Sequence, residues 1–199
     1  MHEVLVLYYS KTGSTEKMAK KIAHGIEEVE GAQAKIRTVP PISSENSSVI
    51  ETPPETGPAY ATLDDMRSCD GLIIGSPTRF GNMSAELKYF IDQTTTEWFS
   101  GSLIGKPAAA FTSTSSMHGG QETTLVTMMM PLLHHGMIIV GLPYSEKELA
   151  NTKTGGTPYG ASHVSGENNS TELSESEAFL CKALGKRVST IALMVKKDS

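Results

Sequence analysis

The sequence predicts a doubly wound α/β domain, a parallel sheet covered by helices on both faces. Three observations point there. Residues 4–9 (VLVLYY), 71–75 (GLIIG), 107–111 (PAAAF) and 137–142 (MIIVGL) are continuous apolar runs, the signature of strands buried on both faces. Helical patterns lie between these runs. The first run opens directly onto a loop of hydroxyls and glycine that starts a helix. A weaker run at residues 34–39 supplies a fifth strand nearer the edge. Right-handed crossovers then give a five-stranded parallel sheet of order 2-1-3-4-5.

The helices follow from their stripes. Met18, Ile22, Ile26 and Val29 recur at helical spacing over residues 14–30. Leu87, Phe90 and Ile91 share a face over 83–93, and Leu125, Val126, Met129, Leu132 and Leu133 fill 123–134. The last helix opens on the capping box Ser174-Glu175-Ser176-Glu177 and runs through Leu180, Leu184, Val188, Ile191 and Val195. A short helical piece is expected at 63–66. Two stretches break the alternation. Residues 40–58, rich in Pro, Ser and Glu, read as an exposed loop. Residues 144–171, rich in Gly, Asn, Ser and Thr, are too long for a simple connection, and loops of that length tend to be functional.

Composition narrows the function. The chain has 199 residues, enough for one domain spanning 1–199, and a formal net charge of −5. No basic stripe suggests nucleic acid, and no apolar run suggests a membrane span or secretory leader, so a cytoplasmic protein is expected. Cys69 and Cys181 fit no metal or redox spacing and read as reduced core residues. The histidines show no ligand spacing, so no metal site is expected.

In a doubly wound sheet, ligands bind beyond the carboxyl ends of the strands where strand order reverses. Three loops meet there. The first, Ser10-Lys11-Thr12-Gly13-Ser14-Thr15, joins hydroxyls and a glycine to the amides of a helix N-terminus, a set of donors suited to a phosphate. A Ser/Thr-rich helix cap is the plainer alternative. It is neither a dinucleotide GxGxxG nor a P-loop. The P-loop mimic at residues 101–107 has the wrong spacing and precedes a strand. The second loop, Ser76 to Met83, contains Thr78, Arg79 and Phe80. The third holds Ser113, Thr114, Ser115, Ser116, Met117, His118 and Gly119.

Residues 10–15 match the flavodoxin phosphate fingerprint T/S-x-T-G-x-T. With residues 76–83, Gly119-Gly120-Gln121-Glu122, His134-His135-Gly136-Met137 and Gly155-Gly156-Thr157-Pro158-Tyr159-Gly160, nearly the whole chain resembles the WrbA-type NAD(P)H:quinone oxidoreductases. The resemblance implies a flavodoxin-like three-layer α/β/α fold and flavin mononucleotide (FMN) as cofactor. It assigns FMN contacts to residues 10–15, 78–80 and 113–119 and to His134, the last as a tuning residue. Trp98 would line the substrate pocket and Thr12 the NAD contact. Many members have an aromatic residue, then Gly and His, where this chain has Thr12-Gly13-Ser14, and Thr12 cannot stack on a nicotinamide. The overlong loop at 144–171 would help build the site and the homo-oligomer, from dimer to tetramer.

The implied activity is two-electron reduction of quinones to hydroquinones by NADH or NADPH. The expected mechanism is ping-pong, with hydride transfer through flavin N5 and no essential side-chain nucleophile. The rival readings are an electron-carrier flavodoxin and a non-catalytic FMN-binding regulatory protein. A phospho-receiver on the same fold is excluded, because no acidic residue ends the first strand and Ser76-Pro77 follows the third.

Overall fold

The computed structural model describes residues 1–42, 57–169 and 171–197. Strands and helices alternate as β1 (His2–Tyr8), α1 (Ser14–Glu27), β2 (Ala32–Thr38), α2 (Leu63–Ser68), β3 (Gly71–Pro77), α3 (Ala85–Asp92), α4 (Thr95–Ser100) and β4 (Pro107–Thr114). They continue with α5 (Gln121–His134), β5 (Ile138–Ile139), α6 (Lys147–Asn151), β6 (Ala161–Val164) and α7 (Glu175–Lys197). The sheet order is β2-β1-β3-β4-β5 with every pair parallel, the flavodoxin-like arrangement expected from the sequence.

The apolar runs are continuous because each strand feeds two cores. Successive side chains of a strand point to opposite faces. Val4, Val6 and Tyr8 pack with Met18, Ile22 and Leu184 beneath α1 and α7. Leu5 and Leu7 pack with Leu72, Ile74, Leu87 and Leu125 beneath α3 and α5. Cys69 and Cys181 are buried and free, as expected; burial pushes the Cys69 thiol up to about 12 and raises Cys181 too.

The fifth strand position differs from the expectation. Only Ile138 and Ile139 of the apolar run 137–142 pair with β4, at Pro107 and Ala108. The chain then leaves the sheet through α6 and returns as β6, pairing Phe111–Thr114 with residues 161–164. Since β3 occupies one edge of β4, β5 and β6 divide the other between them. The return needs Gly160: a Cβ there would stand 2.1 Å from the carbonyl oxygen of Ala110. The stretch 144–171, read as loop-rich from its composition, thus carries a helix and a strand.

The predicted cap of α7 forms in both directions. The Glu177 amide donates to Ser174 Oγ at 3.2 Å, and the Ser174 amide donates to Glu177 Oε2 at 2.8 Å. The short helix α4 and the helix α6 have no stripe long enough to announce them. Most of the expected loop at 40–58 lies outside the described residues.

Candidate functional site

Three strand ends position the site. After β1, Gly13 takes φ +93° and caps α1 with no side-chain hydrogen bond. That left-handed conformation favours glycine. It leaves the first-turn amides of α1 facing outward, as helix N-termini must. The Gly13 amide donates to Ser10 Oγ at 3.1 Å, which closes the loop on itself. Ser14 and Thr15 are buried in the first turn, whereas Lys11 and Thr12 are exposed.

The loop after β3 is tightly held. The Thr78 amide donates to the Ser113 carbonyl at 2.9 Å, and its hydroxyl bonds that of Thr124 at 2.7 Å. Arg79 and Asn82 exchange backbone hydrogen bonds at 2.7 and 3.0 Å, closing a turn around Phe80 and Gly81. Thr127 on α5 donates to the Gly81 carbonyl at 3.0 Å. At the tip, Phe80 has φ +52° and is fully exposed. An aromatic residue with positive φ on a pinned turn is strain of the kind that clusters at functional sites.

The loop after β4 is held by Thr114, which donates to the Ser116 carbonyl at 2.8 Å, and by Gln121, which donates to the Met117 carbonyl at 2.8 Å. The other end of Gln121 accepts from Ser162 Oγ at 2.6 Å, coupling this loop to β6. Met117 and His118 are exposed.

These loops surround a cavity of about 260 Å³. Its walls are Lys11, Thr12, Ser14 and Thr15 from the first loop, Pro77, Thr78 and Arg79 from the second, and Ser113, Thr114 and Ser115 from the third. Glu167 and Asn169 close the fourth side. Sequence reasoning missed these last two; only the Gly- and Asn-rich composition of an overlong loop marked them. Behind them, burial opposes the charge of Glu177, but hydrogen bonds from His163, Ser174, Val164 and Gly155 outweigh it and bring its pKa down to about 2. Near the first loop, burial and the neighbouring Glu86 push Tyr9 up to about 12.

His134 and Trp98 stand elsewhere. α5 runs from the carboxyl end of β4 back to the amino end of β5, and α4 precedes the start of β4. Both residues therefore lie at the amino ends of the strands, roughly 25 Å from the loops by the rise of β4. There Trp98 and His134 pack at 5.6 Å between ring centroids and line a separate cleft of about 350 Å³ with His135 and Thr94. His135 is buried, and its Nε2 bonds Thr94 Oγ1 at 2.8 Å. Burial and the adjacent His134 lower its pKa. Within one chain, the expected FMN contact of His134 and the substrate contact of Trp98 are not part of the loop cluster, because a parallel sheet separates the two ends of its helices.

The family model for NADPH-dependent FMN reductases matches residues 3–149. The chain belongs to this family. FMN is accordingly its cofactor, and the protein is a flavoprotein oxidoreductase. Solved structures agree in fold. A flavodoxin, WrbA-like protein from Agrobacterium tumefaciens is 23% identical with a TM-score of 0.70, the match covering 98% of this chain and 99% of that one. A flavodoxin from the domain Archaea is 20% identical with a TM-score of 0.61, covering 98% and 99%. The flavodoxin of Megasphaera elsdenii is 18% identical with a TM-score of 0.57, covering 94% and 98%.

The donor set of this FMN reductase family member fits the cofactor. A phosphate requires several donors and positive charge; the cavity offers first-turn amides, the hydroxyls of Ser14 and Thr15, and Lys11. Thr78, Ser113, Thr114 and Ser115 offer hydroxyls suited to a polyol chain. Phe80 offers an aromatic face at the rim. Among the described residues, no helix is long and apolar enough to cross a membrane.

Proposed function

We propose that this protein reduces quinones to hydroquinones with NADH or NADPH, the donor leaving before the acceptor binds at the same place. Bound FMN supplies the two-electron chemistry, so the chain need only bind, orient and exclude water. Residues 10–15 hold the phosphate, 113–119 run along the ribityl chain, and Thr78, Arg79 and Phe80 border the ring. The observation that carries this reading is the Phe80 turn: a rigid, fully exposed aromatic beside the cavity, suited to stacking against flat molecules. Arg79 attracts the phosphates of a dinucleotide to the same rim.

Trp98 and His134 then act on a neighbouring subunit's flavin within a homo-oligomer, a tetramer by resemblance. What supports this is the surface around them. Val126, Met130 and Leu133 line the outer side of α5, and Phe99, Ile104 and Ile138 are exposed nearby. Apolar groups gathered in this way mark an interface. Thr12, which offers no ring to a nicotinamide, favours the electron-carrier flavodoxin as the second reading.

One experiment separates them. NADH or NADPH is added anaerobically to the FMN-loaded protein, and then benzoquinone. Loss of the oxidised flavin's visible absorption and its return with quinone support the oxidoreductase. A flavin that neither nicotinamide bleaches, but that dithionite takes to a stable one-electron state, establishes the carrier. Flavin inert to both nicotinamides with no such state leaves the regulatory role.

A further inference from the structure

The last helix, α7, carries two stripes. The inward one, Leu180, Leu184, Val188 and Ala192, is buried with Val4 of β1 and with Met18 and Ile22 of α1. Two glycines bring α1 and α7 together. A Cβ on Gly25 would stand 2.0 Å from the Lys182 carbonyl oxygen, and one on Gly185 2.2 Å from the Ile22 carbonyl oxygen. Glycine weakens a helix interior, and here its role is the close crossing.

The outward stripe is built differently. A helix that already buries one apolar stripe normally turns polar groups to water. This face instead runs Phe179, Lys182, Lys186, Arg187, Ile191 and Met194 at helical spacing, with Phe179 43% and Met194 60% exposed. Together with Glu28 at the end of α1 and Glu146 before α6, these side chains line a groove of about 670 Å³. The groove is more than twice as large as the loop cavity and shares no residue with it or with the Trp98 cleft. Sites for small molecules typically span about 300–1,000 Å³, mostly apolar with a few charged groups.

The charges of the groove are unmatched. Lys182 and Lys186 share one carboxylate, Glu28, at 3.7 and 3.9 Å, beyond hydrogen-bond reach. Among the described residues, Arg187 has no ion-pair or hydrogen-bond partner. Glu146 is the other carboxylate of the wall, so three cations face two acids. From Lys182 to Lys197 the sequence holds five basic residues and no acidic one, in a chain of net charge −5.

We propose that this groove binds a single amphiphilic anion, an aliphatic chain ending in a carboxylate. The head group sits at Lys186 and Arg187, and the chain lies along Ile191 and Met194, one and two turns further on. A second copy of this chain is a poor occupant, since a twofold contact would set these cations against their own images. A bilayer takes up the apolar crest of an amphipathic helix, whereas here the apolar groups line a recess.

The test is calorimetric titration of the FMN-loaded protein with dodecanoate, acetate and dodecyltrimethylammonium, all below micellar concentrations. Dodecanoate is expected to bind, acetate to bind about 100-fold more weakly for want of the chain, and the cationic amphiphile not to bind. Lys186→Glu/Arg187→Glu and Met194→Glu are each expected to weaken dodecanoate by about tenfold, with the visible absorption of the flavin unchanged. Met194 is exposed, so its variant is read even if the double variant does not fold. A wild type that does not bind dodecanoate overturns the proposal, as does equal binding of the cationic amphiphile or undiminished binding by either variant. A double variant of altered subunit number in sedimentation overturns it in favour of a subunit interface. Sedimentation with phosphatidylglycerol vesicles, without binding of dodecanoate, overturns it in favour of a membrane surface.

Discussion

The two ends of the sheet are built from opposite materials. At the carboxyl end, loops after β1, β3 and β4 surround a cavity of hydroxyls, with Lys11 and Arg79 as its cations. Each loop is fixed by named hydrogen bonds, so the polar groups are held in place before any ligand arrives. At the amino end, Trp98 and His134 pack in a cleft that Thr94, Pro131 and His135 also line. The first end gathers its hydroxyls and cations from four segments of one chain. The second leaves large apolar side chains exposed, Phe99, Ile104, Met130 and Leu133 among them. The difference teaches that polar donors can be set by local turns, whereas an apolar face depends on which sides of the helices the packing leaves uncovered.

The largest effect should come from the strand that completes the carboxyl end. Gly160→Val drives a side chain into the Ala110 carbonyl and should cost more than about 3 kcal/mol, read as a large fall in thermal midpoint. A midpoint close to that of the wild type would mean that β6 can leave β4 freely. Next, Lys11→Ala with Thr15→Val should weaken FMN by about 10- to 100-fold and leave riboflavin unaffected, since charge-assisted hydrogen bonds are worth this much. Equal losses for both flavins would break the assignment of that loop to phosphate.

The amino end is sharpened by Met130→Asp with Leu133→Asp. These exposed changes should turn an oligomer into a monomer by sedimentation and lower quinone turnover by about tenfold, with FMN affinity nearly unchanged. Full turnover in the monomer would remove Trp98 and His134 from the reaction.

The smallest effect is in acid. Glu177 falls from 4.5 to about 2 and Asp65 from 3.8 to about 2; for both, burial is outweighed by hydrogen bonds, from His163 and backbone amides in one case and from Lys35 and Thr62 in the other. Groups with depressed pKa values contribute stability that is whole above their unfolded values and is lost as pH falls through the folded ones. Denaturant midpoints should therefore hold down to about pH 4.5 and fall towards about pH 2. Glu177→Gln should flatten that decline, and an unchanged slope would mean the pair contributes no pH dependence.

Much of this was legible beforehand. The runs at residues 4–9 and 71–75 announced strands covered on both faces, because a one-sided strand alternates and these do not. The loop 10–15 announced one wall of the cavity, since its order is local: a strand, a glycine and a helix start in succession. The division of β4's edge between β5 and β6 was not legible. Residues 161–164 (ASHV) are short and mixed in character, and pairing to a strand some fifty residues away leaves no periodicity. Glu167 and Asn169 were hidden for the same reason, and so was the His163–Glu177 pair, whose partners meet only through the fold.

The sequence by itself determined the layers, the strand order and the first loop of the cavity. Each depends on apolar period or on groups adjacent in the chain, and such interactions are written locally. Tertiary structure alone decided that His134, which reads like a flavin neighbour, and Trp98, which reads like a substrate contact, stand at the other end of the sheet. It also decided that an overlong loop supplies the fourth wall of the cavity. The physical reason is that a parallel sheet sends every helix back to the opposite end, so nearness in function cannot be read from nearness in motif order. Behind that wall lies the buried contact of His163 with Glu177, and a buried contact exists only once the chain has closed around it.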